Sequence, residues 1–221
     1  MTAVTSALPV VVIAGGRDLA ETDVLTSDNE RGIVALTEHL TGQHGYRRLC
    51  FVAGPKDAPD AMARHSAFEQ AVTHSPGSFL DQVIHGDFSE DSGIAAARVL
   101  LEGGSLPQAV VCANDQMAIG VLRELQRAGI RVPADVAVTG FDDLYPSRVI
   151  DPPLTTVSQP FRDLGGRATQ RLLARISDPA LPSRAEVLPT LLAIRASCGC
   201  PWQEQHPPPR QRRPHDHRMP D

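Results

Sequence analysis

Hydrophobic and polar positions fall into two alternating regimes along the chain. Apolar runs of strand length recur at residues 9–15 (PVVVIAG), 48–54 (RLCFVAG), 81–87 (DQVIHGD), 109–114 (AVVCAN), 136–143 (VAVTGFDD) and 191–197 (LLAIRAS). Between most of them apolar residues return at helical spacing: Ile33, Leu36 and Leu40, then Met117, Val121 and Leu125, then Leu164, Ala168, Leu172 and Ile176. Gly129 stands where a C-cap would end the second of these helices. Strands alternating with helices of this length predict right-handed βαβ units, and therefore a parallel, doubly wound sheet.

Residues 46–153 hold four strand-like runs in succession, enough for a complete open sheet. Before Tyr46 there is room for two short strands and one helix, and after Pro153 for one helix and one strand. Two incomplete flanks around a complete centre predict a two-lobed α/β protein, with 1–45 and 154–198 building a partial N-terminal lobe and 46–153 the C-terminal lobe. Residues 199–221 end in a stretch rich in Pro, Arg and His without periodicity, and are expected to be a disordered tail. Its RQRR is read as solvated rather than as a contact for an acidic partner. The chain carries no internal repeat.

Composition narrows the function classes. The 221 residues carry a net charge of −5, which argues against a nucleic-acid-binding surface. No apolar run approaches the roughly 18 residues that span a bilayer, and the start lacks a basic leader region, so a cytoplasmic protein without membrane contact is expected. Cys50 and Cys112 lie inside apolar runs, where a reduced cysteine acts as a small hydrophobe. Cys198 and Cys200 form a lone C-x-C. Zinc sites generally need four ligands at matched spacings, so neither metal nor cofactor is expected.

In an open α/β sheet, ligands bind beyond the carboxyl ends of the strands. This chain repeatedly places polar residues there: Asp87 and Phe88 after the third run, Asn114 and Asp115 after the fourth, Asp142 and Asp143 after the fifth, with Arg64 early in the helix after Gly54. A sugar hydroxyl both donates and accepts, so a carboxylate, an amide and a guanidinium can each hold it. Phe88 offers a flat face on which a sugar's C–H surface or a base can stack. Each residue also has a purely structural reading: Asp115 as an N-cap, Asp143 as a turn residue, Arg64 as a surface charge. Asn114 and Asp142, each the first polar residue after a strongly apolar run, fit the structural reading least.

The order and spacing of several segments resemble the effector-binding core of LacI/GalR-type transcriptional regulators. These segments are LTSDNERGIVALTEHLTGQHGYRRLCFVAGP, ARHSAFEQAV, GDFSEDSGIAAARVLL, ANDQMAIGVLRELQRAGIRVPADVAVTGFDDL, DPPLTTVSQPFRDLGGRA and LLAIRAS, and they cover about residues 9–198. The resemblance implies a periplasmic-binding-protein-like type I fold with two doubly wound parallel-sheet lobes, the N-terminal one incomplete. It also implies a ligand set: Arg64 of the R-x-x-G-F motif, with Ala67 in place of its glycine, Asn114 of A-N-D, Asp142 of G-F-D-D, Phe88 after G-D and Gln159 of T-T-V-x-Q. Asp28 of the D-N pair would lie on the second lobe's side of the cleft. On this reading Asn114 holds the ligand while Asp115 caps the helix.

The implied function is sensing of a sugar, nucleoside or similar polar metabolite, with lobe closure altering how paired subunits sit, possible homodimerisation, and DNA contact only through a headpiece that this chain is expected to lack. The ending RASCGCP also resembles sensor modules attached to signalling domains, which leaves a non-DNA-binding parent, or a truncated regulator without function, as alternatives. An enzyme reading, with Asp115 and Asp142 as a carboxylate pair, lacks a G-x-S-x-G or a phosphate-binding glycine loop. His85 is the one histidine among the strand ends, so no catalytic activity is expected.

Overall fold

A computed structural model describes residues 8–14 and 22–201. Four apolar runs become strands shorter than their patterns, β1 (Val11–Ile13), β3 (Arg48–Ala53), β5 (Ala109–Cys112) and β6 (Ala137–Thr139); the run at 81–87 becomes β4 (Phe79–His85), two positions earlier, and a further strand, β2 (Asp23–Ser27), follows β1. Helices α1 (Asn29–Glu38), α2 (Pro59–His74), α3 (Glu90–Glu102) and α4 (Asp115–Arg127) separate them. A single π-turn, His39–Gln43, extends α1. After β6 come a four-residue helix α5 (Pro146–Val149), β7 (Thr156–Ser158), the long α6 (Phe161–Ser177), β8 (Ala185–Leu188) and β9 (Leu191–Ala193). The last stretch thus holds three short strands where the sequence pattern predicts one. β7 and β8 are only three and four residues long, too short for period-two patterning to register.

β4, β3, β5 and β6 form an all-parallel sheet in that order, as expected for residues 46–153. Single bridges, Thr139 to Thr155 and Asp142 to Ser158, continue its edge into β7, which pairs antiparallel with β9. The central strand β5 is wholly buried, which its uninterrupted AVVC run requires. Helices α3 and α4 cross at Gly93 and Gly120. A Cβ on Gly93 would lie 2.1 Å from the Met117 carbonyl oxygen, and one on Gly120 2.1 Å from that of Glu90, so the two backbones are in direct contact.

A second parallel sheet, β1-β2-β8, forms the smaller lobe, with Leu25, Leu164 and Leu188 as its core. Asp23, fully buried in β2, accepts hydrogen bonds from Arg171 and Arg175 of α6 and from the Arg184 backbone, tying sheet to helix. The α6 stripe is only partly covered: Leu164 is buried, whereas Ile176 is 58% exposed.

The lobes divide differently from the sequence reading. Ile33 and Leu36 of α1 and Leu40 of the π-turn belong to the large core with Phe51, Phe68 and Val111, and so do Leu154, Val157 and Cys198. The chain therefore passes from the small to the large lobe at Asp28, not at Tyr46, and returns to the small lobe only for α6 and β8. An amphipathic stripe reveals that a helix packs, but not against which sheet. Gly199 and Cys200, expected to begin a disordered tail, are placed: Gly199 closes a turn on Ala196, and Cys200 is half-buried. The remainder of that tail, with RQRR, lies outside the described residues.

Candidate functional site

The carboxyl ends of β3, β5 and β6 meet beside the point where the chain crosses between lobes, and the polar residues there form one connected network. Arg64, on the second turn of α2, is 3% exposed, which excludes the surface-charge reading. Its Nε donates to Asn29 Oδ1 at 2.8 Å and its Nη1 to the Ala113 carbonyl at 2.7 Å. The guanidinium carbon lies 3.9 Å from the Phe141 ring centroid, a cation–π contact. Asp142 Oδ1 stands 3.6 Å from Nη1, and Asp60 Oδ2 4.0 Å from Nη2. Burial pulls the Arg64 pKa down, and the neighbouring carboxylates of Asp142 and Asp60 oppose it.

Asp142 has a positive φ of 124°, an unusual conformation for a non-glycine residue that turns its carboxylate back toward α2. Burial raises its pKa, partly offset by Arg64 and by the hydrogen bond from Gln159. Gln159 spans the crossing: its Nε2 donates to Asp142 Oδ1 at 2.5 Å, while its Oε1 accepts the Ser27 hydroxyl at 2.6 Å. Ser27 ends β2 of the small lobe, so one amide connects the polar ends of both sheets.

The cap of α4 falls to Asn114 and not, as expected, to Asp115. Asn114 is the N-cap of α4, its Oδ1 accepting the Met117 N–H at 2.9 Å, while its Nδ2 donates to the Phe88 carbonyl at 2.9 Å. Asp115 does not cap. Fully buried, it accepts from Ser147 Oγ at 2.6 Å, Thr156 Oγ1 at 2.5 Å and the Leu144 N–H at 2.8 Å, holding α5 and β7 to the start of α4. Burial raises its pKa to about 6 despite these donors. Asp142 and Asp115 accept hydrogen bonds from different donors, and the nearby Asp142 carboxylate adds to the rise in the Asp115 pKa.

Asp28 is the N-cap of α1, accepting from the Arg31 N–H at 3.1 Å. Its neighbour Asn29 enters the cluster instead, with Nδ2 donating to Asp60 Oδ1 at 2.9 Å. In the sequence the D-N pair is the one local signal for Asn29, and Asp60 has none. Phe88 adopts φ 71° and lays its ring over Gly54, where a Cβ would come within 2.4 Å of Cε1. Asp87, exposed, accepts from the Ser89 N–H and hydroxyl, which hold its pKa at about 2, and stays outside the network. Asp143 is an ion-pair partner rather than a plain turn residue, accepting from Arg195 at 2.5 Å and Arg148 at 2.7 Å. Exposed His85 lines a small hollow of about 120 Å³ with Gly54, Pro55, Lys56, Met62 and His65.

Two parallel-sheet lobes, crossed by the chain at a polar hinge and presenting strand-end side chains there, define a ligand-binding α/β domain of the two-lobed kind. A family model for the periplasmic binding protein-like domain matches residues 37–198. The chain belongs to that family, with the effector-domain fold of LacI-type regulators. It is 33% identical over 172 residues to the HTH-type transcriptional repressor PurR of Vibrio atlanticus, covering 77% of this chain and 51% of that protein. It thus spans about half the length of the curated relatives it matches. A LacI transcriptional regulator from a Rhodococcus species superimposes with a TM-score of 0.82 at 33% identity, covering 89% of this chain and 72% of that one. A LacI family regulator from Enterococcus faecium with bound ribose gives 0.76 at 29% identity, covering 86% and 70%. Among the described residues, no helix is long and apolar enough to cross a membrane.

Proposed function

We propose that this chain is the effector-sensing core of a LacI-type transcriptional regulator, and that a sugar or similar small polar metabolite binds where Asp142, Arg64 and Gln159 meet. The observation carrying this reading is the Ser27–Gln159–Asp142 chain of hydrogen bonds, which joins the polar ends of both sheets through one side chain. A ligand hydroxyl that competes for Gln159 or Asp142 acts on a contact made by both lobes, so its affinity differs between lobe arrangements. That difference is what a sensor converts into a signal. Asn29 and Asp60 support the guanidinium from behind, Asn114 fixes the Phe88 backbone, and the Phe88 ring offers a stacking face. Asp28 lies one residue from the cluster on the small-lobe side. The ribose bound to the Enterococcus faecium relative supports the sugar class. The protein works in the cytoplasm, as a dimer, with operator contact falling to a separate headpiece and no catalysis.

Thermal unfolding against a panel of pentoses, hexoses and nucleosides tests the reading. One compound class raises Tm in the wild type and leaves Asp142→Ala unchanged. A flat response across the panel, or an equal rise in the variant, overturns it.

A further inference from the structure

Four metal-ligating side chains converge far from the cleft, beyond the amino-terminal end of β3. They are His39 and His44, at either end of the π-turn, and Cys198 and Cys200 of the closing C-x-C. One donor atom from each lies within 4.8 Å of the others. His39 Nε2 is 3.2 Å from His44 Nε2, 3.5 Å from Cys198 Sγ and 3.6 Å from Cys200 Sγ, and His44 Nε2 is 3.4 Å from Cys200 Sγ.

These four separations match four of the six edges of one coordination tetrahedron, and the remaining two pairs lie within 4.8 Å. With zinc–nitrogen bonds of about 2.0–2.1 Å and zinc–sulfur bonds of about 2.3 Å, tetrahedral geometry places two nitrogens ~3.3 Å apart and nitrogen and sulfur ~3.6 Å apart. Hydrogen bonding alone accounts for the cluster poorly. A ring nitrogen carries either one proton or one lone pair, yet three partners converge on His39 Nε2.

The local fold is shaped to bring the four together. In a regular α-helix residues five apart sit about 140° apart around the axis; the π-turn over His39–Gln43 widens the helix so that His39 and His44 face one another edge to face, ring centroids 4.9 Å apart. Gly199, with φ 103°, folds the C-x-C back, and a Cβ there would lie 3.2 Å from Tyr46 Oη and 3.4 Å from the His44 ring. Outer partners are in place as well. Thr155 Oγ1 donates to Cys198 Sγ at 3.1 Å, Tyr46 Oη donates to the Cys198 carbonyl at 3.1 Å, and the Tyr46 ring stacks on His44. The two further donors beside Cys198 and Cys200 stand more than 150 positions earlier in the chain.

We infer that His39, His44, Cys198 and Cys200 form a closed, tetrahedral zinc(II) site that clamps the end of α1 to the end of the large lobe. Four protein ligands leave no open position, so the site is structural. Tetrahedral N2S2 geometry fits zinc or an iron–sulfur centre, and four donors converging on one point hold a single ion rather than a cluster. Loading replaces the two thiol protons: Zn²⁺ binds two thiolates and two neutral imidazoles, and two protons pass to solvent.

The full chain, stripped with chelator under reducing conditions, is titrated with zinc(II), and separately with cobalt(II) as a spectroscopic stand-in. The site predicts one zinc per chain, a rise in Tm, and a cobalt spectrum with tetrahedral visible bands and thiolate charge transfer. Cys200→Ser and His44→Asn, both at half-buried positions, weaken zinc beyond the roughly 100-fold that loss of an outer partner causes. Far-ultraviolet circular dichroism matching the metal-free wild type shows that these variants remain folded. A variant with His206, His215 and His217 replaced by alanine keeps the metal. Zinc lost only in that variant, a cobalt spectrum without thiolate charge transfer, or no retained metal overturns the inference.

Discussion

Arg64 and Asp142 face each other with Nη1 and Oδ1 3.6 Å apart, an ion pair just beyond direct hydrogen-bond reach. The guanidinium spends its near donors on Asn29 and Ala113, and the carboxylate accepts from Gln159, so each charge is held in place by third parties. On the proposed reading, a ligand hydroxyl entering here would meet a fixed donor and a fixed acceptor.

From this follows the first expectation. Asp142→Asn removes a charge-assisted acceptor worth about 1.5–3 kcal/mol, so affinity for the ligand class found in the thermal screen falls roughly 10- to 150-fold. Arg64→Lys loses the Asn29 and Ala113 bonds together and lowers both affinity and Tm. Calorimetry that finds Asp142→Asn binding as tightly as wild type sinks the assignment.

Asn114 and Asp115 separate by size of effect. Asn114→Ala deletes an N-cap and costs about 1 kcal/mol, whereas Asn114→Ser keeps most of it. Asp115→Ala leaves Ser147, Thr156 and the Leu144 N–H without their acceptor in a buried site, costing about 3 kcal/mol or more. Urea unfolding midpoints at constant slope give the order, and a larger loss for Asn114→Ala would reverse the assignment.

The pH dependence carries a sign. Burial raises the Asp115 pKa to about 6 from 3.8, so between those values the folded protein holds a proton that the unfolded chain releases. Its contribution to stability therefore grows as pH falls from 7 through 6 and on toward 4, by about 3 kcal/mol at most. Asp115→Asn fits the site, its amide donating to Thr156 and its oxygen accepting from Leu144, and it removes the titration. The stability of wild type relative to this variant rises on going from pH 7 to pH 5; parallel curves would refute the burial cost.

At the α3–α4 crossing, Gly93→Ala or Gly120→Ala forces two backbones apart and costs about 1–3 kcal/mol or more. Gly165→Ala, in α6 with open space around it, instead gains about 0.5–1 kcal/mol of helix propensity. Melting curves of the three variants test both signs at once.

Much of the architecture was legible from local pattern. The runs at 48–54, 109–114 and 136–143 became β3, β5 and β6, because a fully buried parallel strand needs unbroken apolar residues. The Met117, Val121, Leu125 stripe became the buried face of α4, and Arg64, Asp142 and Gln159 came together near the strand ends, because strand ends in such sheets converge. Local chemistry could not decide between Asn114 and Asp115. Either can cap a helix, and the choice depends on Ser147 and Thr156 arriving from elsewhere in the chain. Asp60 was invisible for the same reason, since it matters only through Arg64 and Asn29, and Asn29 showed only as half of the D-N pair.

The sequence by itself determined the strand–helix order, the large parallel sheet and the cluster of polar strand ends, since periodicity and apolar run length act over a few residues. Only the tertiary structure decided that α1 packs on the large sheet, that Gln159 links Ser27 to Asp142, and that His39 and His44 meet Cys198 and Cys200. Those contacts join residues tens to more than 100 positions apart. Their geometry is set by how the helices and the chain crossings stack on the sheets, and short-range pattern carries no record of that stacking.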